Sequence, residues 1–123
     1  RGTLWLVDRE TQELWTKIPF EDGTLRELRV PIGEGYVGSV AKTEQPLNIP
    51  FDLYDHPASA IAKKTDQQSG YRTCSLLCMP IFTPDGELIG VTQLVNKKTS
   101  NDDLNAKPEY GKPIPELFQT SFD

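Results

Sequence analysis

The chain has 123 residues, with 18 acidic against 13 basic side chains and a net charge of −5. That length gives one ordinary domain able to bury roughly 65–70% of its unfolded surface, and the acidic balance excludes broad binding to a nucleic-acid backbone, though not a small anion held locally. With 37% hydrophobic and 25% charged residues, and its longest apolar run (Leu76 to Phe82) broken by Pro80, the chain falls far short of the roughly 20 apolar residues that a membrane-spanning helix needs.

Ten prolines and nine glycines point to a mixed or β-rich domain with many turns. Thr3 to Asp8 and Glu13 to Ile18 are rich in strand formers and are separated by a short polar turn, which predicts a hairpin. After Asp22-Gly23, Arg26 to Pro31 forms a third strand, with Leu28 and Val30 alternating with charged neighbours. One face of that antiparallel meander is therefore wet. Gly33-Glu34-Gly35 breaks the chain, and Val37, Val40, Ala41 and Glu44 recur at helical spacing. This predicts a short amphipathic helix over 35–44, ended by Pro46, and then a short edge strand over Leu47 to Ile49. Pro57 at a first turn and three alanines predict a second helix over 57–66, with Gly70 at its exit. Two strands, Thr73 to Phe82 and Glu87 to Lys97, are joined across the turn tripeptide Pro84-Asp85-Gly86.

The composition changes at Thr99. Residues 99–123 hold three prolines and five acids against two lysines, so they carry −3 of the total charge and leave −2 to residues 1–98. The expected organisation is a core over 1–98 and a proline-bearing acidic insertion over 99–123 that ends in a truncated motif. Arg1 lies inside a strand, without an initiator Met or signal segment, so the chain reads as a piece of a longer protein.

Catalysis needs a nucleophile with a base, a metal cluster or paired carboxylates, and no such set emerges. His56 is the single histidine and, before Pro57, reads as a loop or cap residue. Cys74 and Cys78 on one strand would face the same side about 13 Å apart, too far for a disulfide. They read as reduced core thiols of a cytoplasmic protein. The glycines of Gly33-Glu34-Gly35-Tyr36-Val37-Gly38 lack a P-loop lysine and follow a meander instead of a βαβ unit. They still allow backbone amides at a helix start to approach an anion.

The run Val30 to Ala41, then Pro46-Leu47-Asn48-Ile49-Pro50, Ser69 to Thr73, Leu77 to Ile81 and Gly90 to Lys97 together resemble a GAF domain. The resemblance is to the subgroup found in cyclic-nucleotide phosphodiesterases and cyanobacterial adenylate and guanylate cyclases. It implies an α+β fold: a central antiparallel sheet of about six strands with helices, here lacking the flanking N- and C-terminal helices that often build parallel dimers. Asn96 and Lys97 match the start of a subgroup motif whose later phenylalanine corresponds to Phe122, and whose acidic pair would fall beyond Asp123.

The resemblance also implies a non-catalytic sensor that binds cAMP or cGMP, with no metal and no other cofactor. The phosphate would meet the backbone of Tyr36 and Val37. Ring contacts carry over to Thr3, Phe20 and Glu21, and lid and strand contacts to Asp66, Ser69 and Thr73. Gln93 stands where some relatives have glutamate, so it gains a donor and loses a charge. Ligand binding would close residues 51–70 over the pocket and shift the flanking helices of a homodimer. The output module implied is an adenylate or guanylate cyclase, with a histidine kinase or phosphodiesterase as alternatives. A relay or dimerisation module without a ligand, its pocket filled by Tyr36 or Met79, is the competing reading. Two cysteines without a third thiol speak against the methionine-sulfoxide reduction of some stand-alone members. Neither cysteine is followed by a histidine, which speaks against a bilin photoreceptor.

Overall fold

A computed structural model describes residues 1–19, 22–100 and 105–123. Its strands are β1 (Gly2–Asp8), β2 (Glu13–Pro19), β3 (Leu25–Pro31), β4 (Leu47–Ile49), β5 (Leu76–Phe82) and β6 (Leu88–Val95), with helices α1 (Gly35–Thr43) and α2 (Ala60–Ser69). The strands form one six-stranded sheet in the order β3-β2-β1-β6-β5-β4. This is the α+β architecture that the sequence led us to expect. Among the described residues no helix is long and apolar enough to cross a membrane.

The chain divides into two compact units. One comprises Gly2–Leu47 and Cys78–Gln93; the other comprises Arg1, Asn48–Leu77 and Leu94–Asp123. In the first unit β1 and β2 alternate between a buried and a wet face, whereas β3 is exposed throughout except for half-buried Val30, so the expected alternation of Leu28 and Val30 does not give it a buried face. Trp5 and Leu14 are buried, while Leu4 and Leu6 stay exposed. The β1–β2 turn is held by Asp8, whose carboxylate accepts from the amides of Glu10 (3.1 Å) and Thr11 (3.3 Å). Strands β2 and β3 pair from Glu13↔Pro31 to Pro19↔Leu25. On their wet face Arg29 reaches Asp8, Glu13 and Glu27. Helix α1 ends one residue before the expected Glu44, which takes a left-handed conformation while its amide donates to the Val40 carbonyl (2.8 Å).

In the second unit α2 starts three residues later than expected. Residues 57–59 are used in a turn: the Ala58 amide donates to His56 Nδ1 (3.0 Å) and the Ser59 hydroxyl to the Tyr54 carbonyl (3.2 Å). The helix then runs on to Ser69 and closes on Gly70, at φ 80°, a region glycine enters at little cost. A single 3₁₀ turn over Leu53–Asp55, absent from the sequence reading, precedes it, and another spans Glu116–Phe118. Strand β5 begins at Leu76 instead of Thr73, and β6 ends at Val95 instead of Lys97. Asn96, at φ 65°, stops β6, and its side chain binds residues 72–75 outside the ladder. Residues 105–123 are largely irregular, as expected, yet Pro108 and Phe118 are buried.

Candidate functional site

In the first unit, the turn that opens α1 is built from backbone. The Gly33 amide donates to the Gly38 carbonyl (2.8 Å), and the Glu34 amide to the Pro31 carbonyl (3.1 Å). Gly33 and Gly35 sit at φ 100° and 67°, where a side chain would be strained. Gly38 is required for another reason: a Cβ there would lie 2.6 Å from the Pro31 carbonyl oxygen. Tyr36 and Val37 follow in the first turn, both buried. Glu34 makes no side-chain cap to the helix, and the first turn holds no acidic residue. The positive end of the helix dipole is therefore left without a carboxylate in that turn, an arrangement compatible with an anion.

Thr3 lies on β1 in phase with buried Trp5 and is itself half-buried. Gln93 lies on β6 in phase with buried Val91, and its side-chain oxygen accepts from the Trp5 indole (3.4 Å). The sequence left the face of Gln93 open; the structure puts it on the same side as Val91. Phe20 and Glu21 lie outside the described residues. Of the two side chains that were expected to fill a pocket in a ligand-free module, Tyr36 is buried and Met79 is exposed.

In the second unit Asp66, Ser69 and Thr73 fall at the exit of α2. Asp66 is 2% exposed, and its carboxylate accepts three hydrogen bonds: from the Thr73 amide (2.7 Å), the Thr73 hydroxyl (2.8 Å) and the Tyr54 hydroxyl (2.6 Å). The structure thus brings Asp66 and Thr73 into direct contact and leaves neither simply solvated. Ser69 is exposed, and its hydroxyl accepts from the Tyr71 amide (3.2 Å).

Sequence reasoning missed the partners of this cluster. Arg72 makes a bidentate pair with Asp52, at 2.9 and 2.8 Å, and also donates to the Thr73 carbonyl (2.7 Å). Its guanidinium lies 3.4 Å from the centre of the Tyr54 ring, a stacked cation–π contact. Burial opposes ionisation of Asp52, but the Arg72 bonds and the Tyr54 amide outweigh it and hold the carboxyl below its ordinary pKa. For Tyr54, burial and then the Asp66 bond push the phenol pKa up. It stays a neutral donor at physiological pH. The only sequence signal was Arg72 inside a matching motif; its acidic partner is 20 residues away in an aperiodic stretch.

Asn96 explains half of the expected motif. Its side-chain oxygen accepts from the Cys74 amide (2.6 Å) and the Ser75 amide (3.3 Å), and its NH2 donates to the Arg72 carbonyl (2.8 Å). Lys97 lies 3.3 Å from the exposed Asp123 carboxylate, while the Phe122 carbonyl accepts from Asn48 (3.0 Å). Cys74 and Cys78 are free and buried, and burial raises their thiol pKa values to about 11 and about 12. Both stay protonated near neutrality, and the nucleophilic thiolate is scarce. Among the described residues no three His, Cys, Asp or Glu side chains converge as a metal site. A cavity of about 310 Å³ in the first unit is lined by Val7, Arg9, Gln12, Ile32, Ala41, Glu44, Gly86, Glu87 and Leu88. None of the described residues expected to bind a ligand lines it.

Comparison with known proteins gives the family. The GAF domain model matches residues 1–106. The dual 3',5'-cyclic-AMP and -GMP phosphodiesterase 11A of Takifugu rubripes is 45% identical over 76 residues, which is 62% of this chain and 8% of that protein. The dual 3',5'-cyclic-AMP and -GMP phosphodiesterase 11 of Drosophila melanogaster is 44% identical over 71 residues, 58% of this chain and 5% of that protein. The chain therefore spans less than a tenth of the length of either relative. With the six-stranded sheet, the glycine turn before α1 and a family match over most of its length, the chain belongs to the GAF domain family.

Proposed function

We propose that this GAF domain is a regulatory, non-catalytic module that binds a cyclic nucleotide, cAMP or cGMP, and passes its occupancy to an output domain. The observation that carries the reading is the 45% identity to a segment of an enzyme named for both cyclic nucleotides. The chemistry agrees with it. A cyclic phosphate carries a single negative charge and suits the start of α1, where Tyr36 and Val37 would present backbone amides. Thr3 and Gln93 supply polar groups for a base, and Gln93 offers both a donor and an acceptor. Phe20 and Glu21 complete the ring contacts in this reading. Asp66 acts first by holding Thr73, with Ser69 beside it at the helix exit.

Both relatives are phosphodiesterases, and this supports a phosphodiesterase output over the adenylate or guanylate cyclase that the sequence suggested. The fish and fly relatives lend nothing to the cyanobacterial cyclases that the resemblance also pointed to. A homodimer, a cytoplasmic location and the role of residues 99–123 as an insertion on a 1–98 core remain part of the proposal. Isothermal titration with cAMP, cGMP and 5'-AMP tests it, on this chain and on one extended at both ends. Saturable binding of a cyclic nucleotide in preference to 5'-AMP is expected. No heat from either cyclic nucleotide at millimolar concentration, in both chains, would sink the reading.

A further inference from the structure

We infer that residues 105–123 form a strap that grips both ends of the 51–70 segment, so that the strap and that segment move together. At the near end, the Phe51 amide donates to the Ser121 hydroxyl (2.9 Å), and Asn48, just before it, donates to the Phe122 carbonyl (3.0 Å). At the far end, Tyr71 and Glu109 form an antiparallel bridge. The Tyr110 amide donates to the Gly70 carbonyl (2.9 Å) and the Arg72 amide to the Pro108 carbonyl (3.2 Å). Gln67, on α2 itself, donates to the Tyr110 hydroxyl (2.9 Å).

Between the two grips the strap has its own anchors. Phe118 is fully buried, and the Thr99 amide donates to the Leu117 carbonyl (2.9 Å). Pro113 and Pro115 restrict the backbone between the grips. A slack tail would transmit nothing from one grip to the other; a tethered, proline-stiffened one does. The two ends of the gripped segment are also tied directly, because Asp52 near its start pairs with Arg72 just past its end. Displacing either end therefore strains the other, and the strap feels both. Its bearing on ligand affinity rests on the proposed function: a nucleotide that favours one position of residues 51–70 would favour one position of the strap, and by linkage the reverse.

Hydrogen exchange of the free chain tests the strap without any ligand. In Ser121→Ala the amides of Arg72 and Tyr110, at the opposite grip, are expected to exchange about two- to tenfold faster, the range one lost hydrogen bond supplies. In Tyr110→Phe the Phe51 amide is expected to respond likewise. Thr65→Ala, which removes a bond within α2 only, should leave the Phe51 and Tyr110 amides unchanged. Acceleration confined to each variant's own grip would overturn the strap. Titration of the same variants with cAMP and cGMP should then show affinity changed by a similar factor, and unchanged affinity in a chain that binds would overturn the linkage. If the unmodified chain binds neither nucleotide, the proposed function fails, and the exchange result alone decides the strap.

Discussion

The two ligand-facing regions proposed here are built from different materials. At the start of α1 the work is done by backbone: three glycines and two turn hydrogen bonds present a helix end, with no side-chain cap from Glu34. At the exit of α2 it is done by side chains. Asp66, Tyr54, Arg72, Asp52 and Thr73 bind one another in a continuous polar cluster. The first kind of construction tolerates almost any side chain that leaves the backbone path intact. The second fails when one member loses its partner, because a buried polar group left unpaired costs more than the bond contributed.

That contrast predicts an order of damage. Asp66→Ala should be the most severe, costing about 3 kcal/mol, because it removes a buried carboxylate that accepts three hydrogen bonds and leaves the Thr73 amide and the half-buried Tyr54 hydroxyl without it. The shift in the urea midpoint measures this, and a cost under about 1 kcal/mol would show that the cluster relaxes as easily as a surface site. Gly38→Ala should come next, at about 1–3 kcal/mol, since the new methyl meets a carbonyl oxygen and not a movable side chain. Gly35→Ala is its control: nothing lies within 4 Å of the added carbon, so only the left-handed backbone is strained, at about 1 kcal/mol.

The third test uses acid. Folding holds the Asp52 carboxyl below its ordinary pKa, so the folded chain binds that proton more weakly than the unfolded chain does. The contribution of the Asp52–Arg72 pair is therefore fully present above the ordinary carboxylate range. It is lost as pH falls through it toward the folded value. Asp52→Asn should flatten that limb of a melting temperature against pH profile; an unchanged slope would assign it to the other depressed carboxyls, Asp8 and Asp22. The smallest effect belongs to Arg29. Its ion pairs with Asp8, Glu13 and Glu27 lie on the wet face of the meander, where solvent and salt screen them. Arg29→Ala should melt within a degree or two of the parent, and 0.5 M salt should erase what difference there is.

The same contrast governs what the sequence disclosed. Alternating hydrophobicity located β1 and β2 to within one residue, because each has one buried and one wet face. Strand β3 was bounded as closely by its flanking turns, although it is exposed on both faces apart from half-buried Val30. The glycine turn and α1 were legible too, since glycine and proline report backbone geometry directly. Helix α2 slipped by three residues because Ala58 and Ser59 donate to His56 and Tyr54 instead of continuing the helix, which no local rule foresees. Strands β5 and β6 were read too long because Asn96 diverts residues 72–75 out of the ladder. Family resemblance singled out Asp66, Ser69 and Thr73 as expected contacts, while nothing in the sequence hinted that the Asp66 carboxylate is spent on Thr73 and Tyr54. Asp52 and Tyr54 lie in a stretch with no periodicity, so nothing marked them before their partners were seen in three dimensions.

Asn96 carries a further consequence. Its backbone occupies the left-handed region at φ 65°, which glycine, asparagine and aspartate enter most readily. Its side chain must accept from the Cys74 and Ser75 amides while donating to the Arg72 carbonyl. Glycine meets the first demand and neither of the others. Ionised aspartate can accept but cannot donate, and would set a negative charge against a carbonyl oxygen. Among glycine, asparagine and aspartate, asparagine alone answers all three conditions, so backbone and side chain together select one letter from that short alphabet.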